Sequence, residues 1–127
     1  MKRSLASLSA VTFLVAISTG NAFAAGDPVK GKQVFAQCQA CHRIDASGKS
    51  TIGPNLYKLF GRKSGSLADF RFSPAMTKAA RPWNDATLDA FLAAPSQNFP
   101  GNRMPFGGLK QPADRQNVIA YIRSASQ

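Results

Sequence analysis

Glutamate is missing from this chain: its six acids are all aspartates, set against sixteen lysines and arginines, for a formal charge of +10. Cysteine and histidine are nearly as scarce, at two and one. A zinc site takes about four Cys or His ligands, so three such residues in 127 exclude it. Cys38 and Cys41 are three apart, and a disulfide across so short a loop constrains the unfolded chain weakly. Convincing strand alternation is absent, as are internal repeats. The main apolar run, Leu5 to Ile17, is diluted by Ser7, Ser9 and Thr12 and falls short of the roughly 18 to 20 residues a membrane span requires.

That run follows Lys2-Arg3 and leads to Ala22-Phe23-Ala24, a small-x-small pattern before Ala25. This is the layout of a cleaved secretory signal over residues 1–24, which leaves residues 25–127 as the exported domain, periplasmic and without an integral membrane span. Its 103 residues suffice for one small domain, and loss of Lys2 and Arg3 lowers the formal charge to +8. Nucleic acid is the partner that export argues against, and the basic residues are spread along the chain without a stacking platform. The charge suits docking to acidic protein partners. Gly48-Lys49-Ser50 resembles the end of a phosphate-binding loop, but Arg43 stands where the first glycine belongs and no strand precedes it.

The helical signals order the rest. Asp27-Pro28 is a capping side chain followed by proline at the first helical position, and Val29, Val34 and Phe35 carry a helix to the cysteines. Residues 43–54 are rich in Ser, Gly, Thr and Asp and read as a loop. Asn55 to Gly61 is expected to hold one or two helical turns, and Pro74 to start a short helix ending before Pro82. Asn84 or Asp85 caps a helix through Leu88, Phe91 and Leu92 that Pro95 stops. Residues 96–111, holding Pro100, Gly101, Pro105, Gly107 and Gly108, read as irregular. Pro112 opens the last helix, with Val118, Ile119, Tyr121, Ile122 and Ala125 as its apolar stripe. The prediction is a single all-α domain.

Cys38-Gln39-Ala40-Cys41-His42 carries the chemistry. A turn-like C-x-x-C puts two sulfurs on one side, each able to add to a vinyl group of haem, and aims the next residue at the iron. A thioredoxin-type pair would need a strand leading into it, and an incidental disulfide leaves the histidine unexplained. One covalently attached haem c follows, with Cys38 and Cys41 as its attachment points and His42 as an iron ligand. The macrocycle also supplies apolar bulk that so short a chain lacks. With no second histidine, Met76, Met104, a lysine or water are candidates for the sixth iron position.

The order and spacing of Gly31, Phe35, Cys38-x-x-Cys41-His42, Gly53-Pro54-Asn55-Leu56, Gly61-Arg62-Lys63-Ser64-Gly65, Trp83, Pro100-Gly101-x-x-Met104 and Val118-Ile119-Ala120-Tyr121-Ile122 resemble the class I cytochromes c of the mitochondrial and small bacterial type. The resemblance covers nearly all of the exported chain. It implies Met104 as the second axial ligand, a Pro54 carbonyl that accepts from the proximal imidazole, and Arg62 and Trp83 beside a buried propionate. It implies contact between the first and last helices through Gly31, Phe35, Val118 and Tyr121. It also implies a soluble monomeric electron carrier between respiratory or photosynthetic redox complexes. The alternative is a haem peroxidase or ligand sensor with a displaceable Met104, in which Arg103 would be the polar distal group.

Phe72, Phe91 and Met76 depart from the family, standing where relatives often have two tyrosines and an asparagine. A drier distal pocket is expected unless Asn102 or water compensates. Lys49, Arg103 and Lys110 match the basic surround of the haem edge, whereas Gln37, Ser96, Gln97 and Gln111 take places where relatives often have lysine. The expectation is a thin basic ring and a modest salt dependence of electron transfer.

Overall fold

A computed structural model describes residues 25–127, and the expected export segment lies outside the described residues. The first helix, α1 (Pro28–Phe35), begins where Asp27 accepts from the backbone N–H groups of Val29 and Lys30, with proline at its first position. Such a cap contributes about 1 kcal/mol. Next come α2 (Pro74–Ala79), capped by Ser73, and α3 (Asp85–Ala93), opened by a capping box between Asn84 and Thr87. The four-residue α4 (Pro95–Asn98) and the long α5 (Pro112–Ala125) complete the set. Among the described residues there is no strand, only an isolated bridge between Lys63 and Pro82. The single all-α domain is therefore observed, and no described helix is long and apolar enough to cross a membrane.

The packing of α1 against α5 closes the fold. An added Cβ on Gly31 would lie 1.9 Å from Asn117 O, so only glycine allows the two backbones to approach this closely. Phe35 is fully buried one turn on, its ring 5.0 Å from that of Tyr121. At the same end Asn117 Oδ1 accepts from the Asp27 N–H at 2.8 Å, joining residues 90 apart in sequence. Leu88, Phe91 and Leu92 of α3 and Val118, Ile119 and Ile122 of α5 fill the core with Leu59, Trp83, Phe99 and Leu109. Across the α3 and α5 faces, Arg115 donates to Asp89 at 2.8 Å and to the Leu109 carbonyl at 2.9 Å.

Two expected elements differ. Asn55 to Gly61 forms successive turns rather than a helix, because buried Asn55 uses Oδ1 to accept from the Tyr57 N–H at 2.8 Å, and Lys58 takes φ 53°. A local side-chain acceptor thus competes with the helical ladder. Conversely, residues 96–111 are not wholly irregular. Pro95 stops α3 but also starts α4, whose last turn closes with Phe99 N–H on Pro95 O at 2.9 Å.

Candidate functional site

The segment after α1 tightens into a turn that groups the motif. The Cys38 N–H donates to Phe35 O at 2.8 Å, Cys41 N–H to Cys38 O at 3.0 Å and His42 N–H to Cys38 O at 2.9 Å. Both thiols are free and half-buried on this one turn. Burial, and secondarily the neighbouring Cys41, pushes the Cys38 thiol up to about 11, so it is held protonated. His42 Nδ1 lies 2.7 Å from Pro54 O. With Nδ1–H as donor, Nε2 carries the free lone pair. Burial pushes this imidazole below its ordinary pKa, partly offset by the Pro54 bond, and the neutral form that can ligate a metal prevails at pH 7.

The backbone under the ring is as constrained as the ring. An added Cβ on Gly53 would lie 2.6 Å from His42 Cε1, and the Gly53 N–H donates to Cys41 O at 2.8 Å. Asn55 holds the loop that carries Pro54, its amide donating to Asp45 O at 3.1 Å and Lys49 O at 3.2 Å. The Asn55 carbonyl in turn accepts from Arg62 Nη2 at 2.8 Å. Arg62 is half-buried rather than a free surface cation, and Asp69 opposes the downward pull of burial on its pKa. Motif spacing alone does not reveal Gly53, which leaves room for the ring, or Asn55, which braces the Pro54 loop, as supports of the imidazole.

Met104 occupies the loop after α4. Asn102 ties that loop into a knot, its amide donating to Pro95 O at 2.8 Å and Phe99 O at 2.9 Å while its Oδ1 accepts from the Met104 N–H at 2.9 Å. Those bonds spend the Asn102 amide inside its own loop, so it does not replace the polar groups that Phe72, Phe91 and Met76 lack. Arg103 donates to Phe72 O at 2.9 Å, a bond that a distal catalytic arginine would have to break. Phe91 and Phe99 sit edge to face at 5.7 Å, and Trp83 lies 5.3 Å from Phe91 and 5.9 Å from Phe99. Trp83 is buried as a residue, and its indole N–H makes no hydrogen bond to another described residue, but that nitrogen is not sealed from solvent, since no buried side-chain nitrogen among the described residues lacks a partner.

The fit of a haem can be tested on these residues. Cys38, Leu56, Phe60, Met76, Met104 and Phe106 are half-exposed apolar side chains packed against the core. An incompletely covered apolar wall beside two free thiols, a neutral imidazole and an uncommitted indole donor suits a flat apolar macrocycle with polar edges. No cluster of three His, Cys, Asp or Glu side chains is present among the described residues to hold a bare metal ion.

Comparison with known proteins places this geometry. The family description "Cytochrome c" matches residues 28–126. Cytochrome c2 of Rhodomicrobium vannielii is 45% identical over 104 residues, covering 82% of this chain and 83% of that protein. Cytochrome c2 iso-2 of Magnetospirillum fulvum is 48% identical, covering 71% and 93%, and cytochrome c of Chlamydomonas reinhardtii is 43% identical, covering 80% and 92%. Among solved structures, cytochrome cH from Methylobacterium extorquens superimposes with a TM-score of 0.73 at 35% identity, over 78% of this chain and 99% of that one. The chain belongs to the class I cytochromes c, electron-transfer proteins with one covalently attached haem c.

Proposed function

We propose that Cys38 and Cys41 would bear the two thioethers of a haem c, that His42 Nε2 and Met104 Sδ would be its iron ligands, and that the exported chain shuttles electrons in the periplasm. A bound haem c supplies one-electron chemistry between ferrous and ferric iron. The protein's own residues do the rest. Pro54 O holds the His42 ring in one orientation and one tautomer, which fixes the Nε2 lone pair. Asn102 presents Met104 from a loop closed on itself. With Met104 as a ligand the iron would offer no site for substrate, and the thioether would favour the reduced state. Arg62 and the Trp83 indole would hold the propionates as cation and donor.

The observation that carries this reading is the 2.7 Å contact of His42 Nδ1 with Pro54 O beside two free thiols on one turn. The test is a visible spectrum in both oxidation states, with Met104→Ala and His42→Ala alongside. Low-spin spectra with a sulfur-to-iron band in the oxidised parent, lost in Met104→Ala, are expected. Water or lysine at iron near neutral pH in the parent would overturn the assignment.

Export by removal of residues 1–24 belongs to the same proposal, and N-terminal sequencing of protein from the periplasm should read from Ala25. Acidic surfaces on redox partners complete it. Lys49, Arg103 and Lys110 are exposed, but so are Gln37, Ser96, Gln97 and Gln111, which carry no charge. The bimolecular electron-transfer rate should therefore fall only modestly as salt rises, in stopped-flow measurements with an acidic partner.

A further inference from the structure

Arg81 takes part in none of the ion pairs of the described residues. Its guanidinium instead lies 3.7 Å over the ring of Phe99, with Nη2 donating to Asn98 O at 2.7 Å and Nη1 to Asn98 Oδ1 at 3.3 Å. A planar fork shared between a carbonyl and an aromatic face is an arrangement a lysine ammonium does not reproduce.

Both ends of this contact are anchored. The Arg81 backbone pairs with buried Ser64, donating to its Oγ at 3.0 Å and accepting from its N–H at 2.7 Å, and Ser64 Oγ donates to Met76 O at 2.9 Å. At the other end Phe99 is 2% exposed, and its carbonyl accepts from the Asn102 amide whose Oδ1 holds the Met104 N–H. Contacts therefore run unbroken from Ser64 through Arg81, Phe99 and Asn102 to Met104.

We propose that Arg81 is a positioning residue for Met104, its guanidinium latching the loop that presents the sulfur to the Ser64–Met76 corner of the fold. The proposal rests on Met104 as an iron ligand. An added ligand that competes for iron binds only when this loop has opened, so its apparent affinity scales with the open fraction. Loss of one stacked, charge-assisted contact raises that fraction about tenfold.

The test titrates the oxidised holoprotein with imidazole and follows loss of the sulfur-to-iron band. Arg81→Leu should bind imidazole about tenfold more tightly than the parent, and Arg81→Lys at least about threefold, since the fork is lost while the charge remains. Arg123→Leu removes from α5 a guanidinium stacked 3.9 Å over Phe60, which belongs to the 55–61 turns and not to the Met104 loop, and should stay within about twofold of the parent. Equal affinities for Arg81→Leu and the parent would overturn the latch. So would an equal gain in Arg123→Leu, which would mark general loosening. Should Arg81→Leu fail to mature, Arg81→Lys decides alone by the same threefold criterion. A parent without the band overturns the Met104 assignment itself, and the latch with it.

Discussion

No methyl group fits between Gly53 and the imidazole of His42: a Cβ there would stand 2.6 Å from Cε1 and 2.8 Å from Nδ1. Glycine is required at this position by space and not by backbone angle, since Gly53 is absent from the positive-φ residues of the chain. Gly53→Ala should push the ring off Pro54 O and cost about 1–3 kcal/mol. A parent-like low-spin spectrum together with a parent-like melting temperature would contradict this.

Ala80 presents the opposite case, a side chain where glycine belongs. It ends α2 at φ 44°, ψ 36° and is exposed, so its methyl group strains the left-handed cap without burying anything. Ala80→Gly should stabilise the protein by about 1 kcal/mol, relief of strain outweighing the added freedom of the unfolded chain. The midpoint of denaturant unfolding should rise with its slope unchanged.

Acid should loosen the loops around His42. Hydrogen bonds from Ser47, then Arg43, hold Asp45 down to about 2, and those from Ser50 N–H and Oγ lower Asp69. Folded values below the ordinary carboxylate value of about 3.9 mean that the unfolded chain binds more protons. Their stabilisation is complete above the ordinary value and is lost as pH falls toward about 2. Asp45→Asn and Asp69→Asn should thus be less stable than the parent at neutral pH, with the gap closing in acid. Urea unfolding at a series of pH values measures it.

Asn102→Ala should free the Met104 loop without touching iron chemistry directly. The Met104 N–H and the Pro95 and Phe99 carbonyls lose their shared partner, a loss worth about 1–2 kcal/mol. Amide exchange at Met104 should accelerate about tenfold while that of Val118 in α5 stays unchanged. Acceleration at both sites alike would mean global destabilisation.

Haem-free protein should lack a cooperative melt, because Cys38, Leu56, Phe60, Met76, Met104 and Phe106 pack on the core only in part. Native helix content and a sharp transition by circular dichroism in the apoprotein would reject the view that the macrocycle completes the core.

What the sequence determined by itself was whatever is written locally. The thiol pair and His42 are set by spacing within one turn, and α1, α3 and α5 announce themselves through capping side chains, prolines and apolar stripes within a dozen residues. The tertiary structure alone decided what depends on a distant partner. The Asn55 amide braces the Pro54 loop on Asp45 and Lys49, Gly53 is small because His42 lies over it, and Arg81 finds Phe99 and Asn98 only after α4 folds back. Periodicity records which face of an element is buried; which group it meets there is settled only when segments 10 to 90 residues apart close on each other.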